Sequence, residues 1–314
     1  MNELKEVNSI FEQPWWLDIV AQGKWHELTV RNKNNEVIGR LPYADINKYG
    51  LSYCGIPVLT QTLGPWIKLD KGMKQVAKLK RIKQVSEELI KQLKTKRNID
   101  LYFHQGFQYV LPFIWAGYRV EPQFSYIIDD FRDLDIVLTN MDAKIRNLIK
   151  GARKNVEIIS NISVDEMIYL EKASFEKQGR KFPWDEDIIR KIYNLSQQYG
   201  HGKALAAIDK VSKKAIAVAF LVYDEHTCYY LLGGKDYASK IQGTQELLLW
   251  EGIKFAATVS REFDFEGSMI PGIESFFRGF GGKPYVYYRI RKGSLIADVL
   301  EWIKPKVKML LGYK

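Results

Sequence analysis

Two carboxylates stand two residues apart near the C-terminal end of the sequence, a spacing that suits acid–base chemistry. Asp264 and Glu266 lie in the segment 262–266, whose apolar pattern predicts a β-strand. Residues two apart on a strand share a face, so both carboxylates would meet a ligand on that face. Glu266 is the stronger candidate for a proton acceptor, because it ends the strand where open α/β sheets tend to place ligands. The alternative is a structural carboxylate paired with an arginine.

A second candidate region has the features of an anion-binding site. A predicted strand ends in Gly233 and Gly234, and a loop with Lys235 and Lys240 leads to Gly243 at the start of a predicted helix. Backbone N–H groups at a helix N-terminus bind phosphates, and nearby lysines add positive charge. The alternative is that the glycines serve only to turn the chain.

Known catalytic motifs of other classes are absent from the sequence. It has no Gly-x-Ser-x-Gly elbow, no Walker loop, no Rossmann Gly-x-Gly-x-x-Gly and no His-Glu-x-x-His. Cys54 and Cys228 are the only cysteines, and the four histidines show no metal-ligand spacing. The pattern favours direct transfer between bound substrates, with the protein supplying position and charge.

The net charge of +10 over 314 residues is concentrated in one segment. Residues 68–97 hold eleven basic and three acidic side chains. Apolar residues recur there at spacings of three and four, which predicts an amphipathic helix with this apolar stripe: Met73, Val76, Leu79, Ile82, Val85, Leu89 and Leu93. The basic face is either simply solvated or directed at phosphates, tRNA or acidic lipid headgroups.

The two halves of the sequence repeat one order of predicted elements. Residues 101–128, shifted by 162, fall on 263–290 with five identities in 28 positions. Each half reads strand–strand–strand–helix–strand–helix–strand, so we predict two related α/β domains. The domains are 1–135 and 136–293, joined near the acidic stretch 129–140. Residues 294–314 are predicted to form a helix that packs back on the first domain.

The composition is that of a globular protein, which excludes disordered and fibrous classes. The polar N-terminus shows no signal peptide, and no apolar run reaches 18 residues. The predicted location is the cytoplasm, with the inner face of the membrane as an alternative because the C-terminal helix is basic and amphipathic.

An ordered set of motifs resembles the Fem family, the aminoacyltransferases that build peptidoglycan cross-bridges, and its GNAT-like relatives. The segment Phe263–Ser268 followed by Phe276–Gly281 resembles the closing signature of the family. Phe11–Asp18 resembles its opening, and Arg146–Lys154 its basic helix. The resemblance implies an α/β (α+β) fold of two tandem GNAT-like domains, each a mixed, mostly antiparallel sheet flanked by helices.

The resemblance also implies roles for single residues. Arg278 matches a basic residue implicated in catalysis in the family, where it would neutralise the developing oxyanion or hold a phosphate. The acyl-carrier loop of the superfamily falls on Lys240, Gly243 and Gln245, although residues 240–245 depart from its usual glycine pattern. The other candidate ligand contacts, each of which has a solvated or core alternative, are Arg146, Arg153, Arg180, Trp184, Tyr229 and Phe277.

Three functions follow as alternatives. The first is transfer of an aminoacyl or acyl group onto an amine of a cell-wall or surface-glycan precursor. The second is acyl-CoA-dependent N-acylation of an amino sugar or amino acid. The third is a non-catalytic module that binds nucleic acid or membrane. The expected donor is aminoacyl-tRNA or acyl-CoA, with no tightly bound cofactor and no metal. The expected partners are a nucleotide- or lipid-linked amine, tRNA and an anionic membrane surface.

Overall fold

A computed structural model describes residues 6–48, 50–160, 162–267, 269–294, 296–297 and 299. The chain forms two compact units. The first unit runs up to Gln123 and resumes at Val286, and the second unit runs from Phe124 to Tyr285. These boundaries differ from the predicted domains 1–135 and 136–293, because each break falls inside a strand and not in the stretch 129–140. The predicted C-terminal helix over 294–314 lies for the most part outside the described residues.

The elements follow the chain from the first unit through the second and back. The strands are β1 (Trp25–Arg31), β2 (Val37–Lys48), β3 (Leu51–Gly55), β4 (Trp66–Ile67), β5 (Ile99–Phe103), β6 (Arg119–Ile128), β7 (Val156–Ile159), β8 (Gly202–Asp209), β9 (Ala215–Tyr223), β10 (Thr227–Lys235), β11 (Glu262–Asp264) and β12 (Lys283–Lys292). The helices are α1 (Pro14–Val20), α2 (Gln75–Leu93), α3 (Leu111–Trp115), α4 (Leu134–Thr139), α5 (Ala143–Asn155), α6 (Val164–Lys177), α7 (Glu186–Gln198), α8 (Thr244–Val259) and α9 (Pro271–Arg278).

In the first unit, β1, β2 and β3 form an antiparallel meander, and β3 then pairs in parallel with β5. Helix α2 connects these two parallel strands, as a crossover must. It buries Val85, Leu89 and Leu93 against the sheet, while its charged residues face solvent. Val76, which the sequence places on the apolar stripe, is 66% exposed because it lies in the first turn, beyond the buried part of the helix.

In the second unit, β7 to β10 form an antiparallel sheet, and β10 pairs in parallel with β11. Helix α8 is the crossover between them, and it packs Leu248, Leu249 and Ile253 into a core that also holds Ala219 and Leu221. Strand β9 is an unbroken apolar run, which is expected of a strand covered on both faces. Helices α5 and α8 pack on each other, and α6 packs on β10.

The predicted repeat of element order is confirmed. β5, α3 and β6 in one half correspond to β11, α9 and β12 in the other, and each half begins with an antiparallel meander followed by one parallel pair. Each unit is thus a mixed, mostly antiparallel sheet flanked by helices, as predicted. The sequence missed α4, in which Asp133 caps the helix by accepting from the amides of Asp135 and Ile136.

Candidate functional site

The parallel strands β10 and β11 stay together over only three register pairs, from Thr227 with Glu262 to Tyr229 with Asp264. Strand β11 ends at Asp264, whereas β10 continues to Lys235. Past Tyr229, the described pairing of β10 is with β9 on its other side. One edge of β10 is therefore unpaired past Tyr229 among the described strands. This edge lies beyond the carboxyl end of a parallel strand, where ligands commonly bind α/β sheets.

A β-bulge reshapes β10 at this open edge. Tyr230 pairs with Leu221 and Leu232 pairs with Phe220, so Leu231 is an extra residue between them. The Tyr230 side chain reaches along the strand to residue 233. A Cβ on Gly233 would lie 1.5 Å from the Tyr230 hydroxyl oxygen, so this position accepts only glycine while the tyrosine lies there.

Helix α6 contributes a buried carboxylate, Glu171, to the same edge. The N–H of Gly233 donates to this carboxylate, and its Oε1 is buried without a hydrogen-bond partner among the described residues. The close packing depends on Gly234, where a Cβ would lie 2.5 Å from the Leu170 carbonyl oxygen. Burial raises the pKa of Glu171 to about 8, although the Gly233 amide opposes the shift.

Helix α8 completes the group with Gln245. Its Nε2 donates to the Tyr230 hydroxyl at 2.7 Å and to the Val218 carbonyl at 3.2 Å. Its Oε1 is buried and has no hydrogen-bond partner in the described chain. Burial raises the pKa of Tyr230, and the neighbouring charge of Glu171 adds to the rise. Glu171 and Gln245 therefore hold two unused acceptor oxygens, which suit a ligand that brings N–H donors.

Gly243 sets the start of α8. It has a left-handed φ of 79°, and a Cβ there would lie 2.4 Å from the Leu148 carbonyl oxygen of α5. The predicted helix start at this glycine is confirmed, and Lys240 lies exposed in the loop before it. The first amides of α8 and this lysine form a positive end beside the open edge of β10.

The predicted carboxylates at the end of β11 have a different geometry from the one expected. The strand ends at Asp264, so Glu266 lies past it with a left-handed φ of 58°, and strand alternation no longer relates the two side chains. Asp264 is buried and accepts from the Ser125 hydroxyl and, at 2.7 Å, from the Glu266 amide. Glu266 Oε1 is buried without a described partner, and burial together with the Asp264 charge raises the Glu266 pKa.

The closing signature divides between core and surface. Phe277 is buried, and its ring contacts that of Tyr230 with centroids 6.2 Å apart. Arg278 in the last turn of α9 is 59% exposed, and its Nε donates to Glu274 at 2.9 Å. Tyr229 is 1% exposed and lies in the core, so it forms no cleft wall.

The remaining predicted ligand contacts already have protein partners. Arg153 pairs with Glu251 at 2.8 Å, and Arg146 donates to the Thr139 carbonyl. The Arg180 guanidinium lies 5.6 Å from the Phe175 ring. Trp184 packs edge-to-face with Phe175 and Phe182 in a small aromatic cluster.

Sequence reasoning missed Glu171 and Tyr230. A signal for Glu171 was present: it shares one helical face with Met167, Leu170 and Ser174, which are buried. A lone acid on an apolar helix face must find a partner inside the protein or stay neutral. In the described part of the chain, no group of His, Cys, Asp and Glu side chains could hold a metal ion. No described helix is long and apolar enough to cross a membrane.

Comparison with known proteins places this site in a family domain. Residues 139–278, which include Glu171, Tyr230 and Gln245, match the family model described as acetyltransferase (GNAT) domain. No curated protein sequence matches the chain.

Solved structures show the same fold at low identity. FemX superposes with a TM-score of 0.67 at 12% identity, covering 90% of this chain and 92% of FemX. L-PGS from Bacillus licheniformis has a TM-score of 0.52 at 12% identity and covers 94% and 97% of the two chains. A tandem GNAT protein from the clavulanic acid biosynthesis pathway has a TM-score of 0.50 at 9% identity, covering 88% and 93%.

Proposed function

We propose that the chain is an acyltransferase of the Fem and GNAT-like group, and that it moves an aminoacyl or acyl group from a bound donor onto an amine of a cell-wall or surface-glycan precursor. One observation carries this proposal. The unused oxygens of Glu171 and Gln245 lie at the open edge of β10, and both accept hydrogen bonds. An amine nucleophile brings the donors that these two oxygens lack.

In the proposed reaction, the amine donates to Glu171 and Gln245 while its nitrogen attacks the acyl carbon of the donor. Glu171 accepts the proton that the amine loses as the new N–C bond forms. Its raised pKa suits this role, since a base works best when its pKa lies near the working pH. The bond from the acyl carbon to the departing oxygen or sulfur then breaks. The leaving group takes a proton from water, and Glu171 returns its proton to water. The raised pKa of Tyr230 keeps its hydroxyl protonated, so it can donate a hydrogen bond to the departing atom.

The other candidate residues take supporting roles in this proposal. The backbone at the Leu231 bulge faces the acyl oxygen, and the start of α8 with Lys240 holds phosphates of the donor. Glu266 is a second candidate base, and Asp264 positions it through the Glu266 amide. Arg278 is exposed, which suits neutralising a phosphate of the donor or acceptor.

The donor defines two candidate functions. The similarity to FemX supports an aminoacyl donor carried by tRNA, together with a nucleotide- or lipid-linked amine acceptor. The GNAT family model and the similarity to a tandem GNAT protein support acyl-CoA as donor and N-acylation of an amino sugar or amino acid. The match of residues 139–278 to the acetyltransferase (GNAT) family model favours an enzyme over a purely non-catalytic module.

A thermal-shift experiment tests both donors on the full chain. The protein is melted with acetyl-CoA, CoA and deacylated tRNA at low and moderate salt. A donor at one hundred times its dissociation constant stabilises the fold by about 2.7 kcal/mol. Stabilisation by CoA assigns an acyl-CoA enzyme, and salt-sensitive stabilisation by tRNA alone assigns aminoacyl transfer.

The matched variants are Lys240→Glu in the loop before α8 and Lys214→Glu in the exposed turn between β8 and β9. Lys240→Glu is expected to lose the donor-induced shift, and Lys214→Glu is expected to keep it. If neither probe shifts the melting temperature and no amine is acylated from acetyl-CoA or aminoacyl-tRNA, the proposed function is wrong.

A further inference from the structure

The α2–α3 face of the first unit exposes apolar side chains together. Helix α3 is only five residues long, yet Leu111 is 41%, Ile114 is 46% and Trp115 is 62% exposed. Val76 of α2 is 66% exposed. Single exposed apolar residues are ordinary, but a group on one short helix indicates a surface that another phase or molecule covers.

A basic stripe borders this apolar group. Along α2 and its C-cap, exposed residues recur at spacings of three and four, which places them on one helix face: Val76, Lys80, Lys83, Glu87, Lys91 and Lys94. Four of these six are lysines. The Nζ of Lys83 lies 5.6 Å from the Trp115 ring centroid, so the stripe and the apolar group form one continuous surface. Lys91, Lys94, Pro112 and Trp115 line a groove between α2 and α3.

We propose that the α2–α3 face docks on the surface of an anionic membrane. The lysines match acidic lipid headgroups in charge. Trp115 has the amphipathic ring that is favoured at the headgroup level, and Leu111 and Ile114 flank it with side chains that gain only from burial in acyl chains. This docking is independent of the chemistry at Glu171 and goes beyond the proposed function.

The side chains favour lipid over RNA. Nucleic acids are bound through phosphate contacts, base-edge hydrogen bonds and stacking on aromatic rings. Lysines and Trp115 serve either partner. Leu111 and Ile114 offer neither a hydrogen-bonding group nor a flat ring, so they gain nothing from RNA and much from a lipid interface.

The test is co-sedimentation of the full chain with phosphatidylcholine vesicles, with and without phosphatidylglycerol. Binding is expected only with phosphatidylglycerol, and it should weaken as salt is added. The double variants Lys83→Glu/Lys91→Glu and Ile114→Ser/Trp115→Ser should each reduce binding about tenfold. Because all four substituted side chains are exposed, the melting temperatures of both double variants should stay close to that of the wild type.

The matched controls lie in the second unit. Lys191→Glu changes an exposed lysine of α7, and Tyr169→Ser removes a ring of α6 that is 69% exposed. Neither is expected to alter vesicle binding. The charge and apolar substitutions are made in separate proteins. If one double variant fails to fold, the other still tests the proposal.

Three results would overturn the proposal. One is that the wild type does not sediment with phosphatidylglycerol vesicles. Another is that both double variants bind as well as the controls. The third is that the wild type binds unfractionated tRNA but not vesicles, and that the lysine variant loses the tRNA binding. This result would assign the face to RNA. Transfer onto a soluble amine should be unchanged in both double variants, so failure of docking and failure of the proposed function are separate outcomes.

Discussion

In the first unit, the carboxylate of Asp100 lies against two cations, whereas in the second unit the carboxylate of Glu171 lies against the amide of Gly233. Arg289 grips Asp100 through two hydrogen bonds of 2.7 Å, and Lys48 adds a third at 3.1 Å. Burial alone would raise the Asp100 pKa, but Arg289 and Lys48 outweigh it and the pKa is lowered. Glu171 makes no ion pair among the described residues, and its pKa is raised.

A second pair of carboxylates sharpens the comparison. Glu12 of the first unit is also buried, and burial raises its pKa to about 7. Its oxygens nevertheless accept from the Gly64 amide at 2.8 Å and from Asn8 Nδ2 at 3.0 Å. Glu266 of the second unit keeps Oε1 buried and unpartnered in the described chain. The first unit thus satisfies its buried acids as structural elements do, and the second unit holds acids with unmet capacity, which is typical of functional sites.

The largest expected effect is on catalysis in the second unit. Glu171→Gln keeps the shape of the side chain and removes the proposed base, so the rate of acyl transfer should fall about 1000-fold. The measurement is kcat for N-acylation with whichever donor the thermal-shift experiment identifies. Glu176→Gln, an exposed acid on the same helix, is the control and should keep the wild-type rate. If Glu171→Gln keeps the wild-type rate, the buried acid of the second unit is no more catalytic than the buried acids of the first unit.

The next largest effect is on the pH dependence of stability, which should differ between the carboxylates of Glu171 and Asp100. Since folding raises the Glu171 pKa from its usual 4.5 to about 8, the stability it confers is complete below pH 4.5 and is lost as the pH rises through 8. The glutamine in Glu171→Gln does not titrate. The free energy of unfolding of this variant minus that of the wild type should therefore increase by about 4 kcal/mol between pH 5 and 9. Denaturant melts at both pH values give the difference. A constant difference would mean that the carboxylate ionises normally.

The structural role of the first unit's acid is tested by Asp100→Asn. The substitution removes the short ion pair, whose side chains are 14% and 18% exposed, and among the described residues leaves Arg289 only the longer ion pair of 3.6 Å with Glu121. It should cost about 3 kcal/mol of stability. The transfer rate per folded molecule should hardly change. Asp165→Asn breaks the exposed pair with Arg190 and should cost less than about 1 kcal/mol. Equal costs in the two variants would show that the Asp100 pair is no more than a surface contact.

The smallest expected effect concerns the position of Tyr230. In Gly233→Ala, the new methyl group must displace the Tyr230 hydroxyl, which would otherwise lie 1.5 Å away. The rate should fall about tenfold, since a displaced Tyr230 hydroxyl no longer donates its hydrogen bond to the departing atom. Gly151→Ala, whose Cβ meets nothing within 4 Å in helix α5, should leave the rate unchanged. Matching rates in both variants would exclude Tyr230 from the reaction.

Local sequence patterns predicted most elements of both units. The apolar run 215–222 and the alternation in 99–103 correspond to β9 and β5, because strands carry their period in the sequence. The position of Glu266 was not predictable in this way. Glu266 has a left-handed φ of 58°. The next residue, Gly267, approaches Phe124 so closely that a Cβ would lie 2.2 Å from the carbonyl oxygen, and this contact is distant in sequence.

The site itself was predicted in outline only. The glycine pattern predicted Gly243 at the start of α8, since a helix start is a local feature, whereas Gln245 came from the resemblance to the acyl-carrier loop of the superfamily. Glu171 and Tyr230 come together because α6 packs on Gly234 and because β10 bulges at Leu231. Both contacts depend on tertiary packing. The apolar helix face around Glu171 indicated a buried acid, but no sequence pattern indicated that Tyr230 lies beside it.

The pH–rate profile of the wild type and Glu171→Gln tests the central claim most directly. An ionised base is needed to take the proton of the amine, so kcat/KM of the wild type for the unprotonated amine should rise with pH and level off above about 8, the pKa of Glu171 in the ligand-free protein. In Glu171→Gln, the residual kcat/KM should lack this limb. If the variant keeps the wild-type profile, the proton goes elsewhere and Glu171 is not the base.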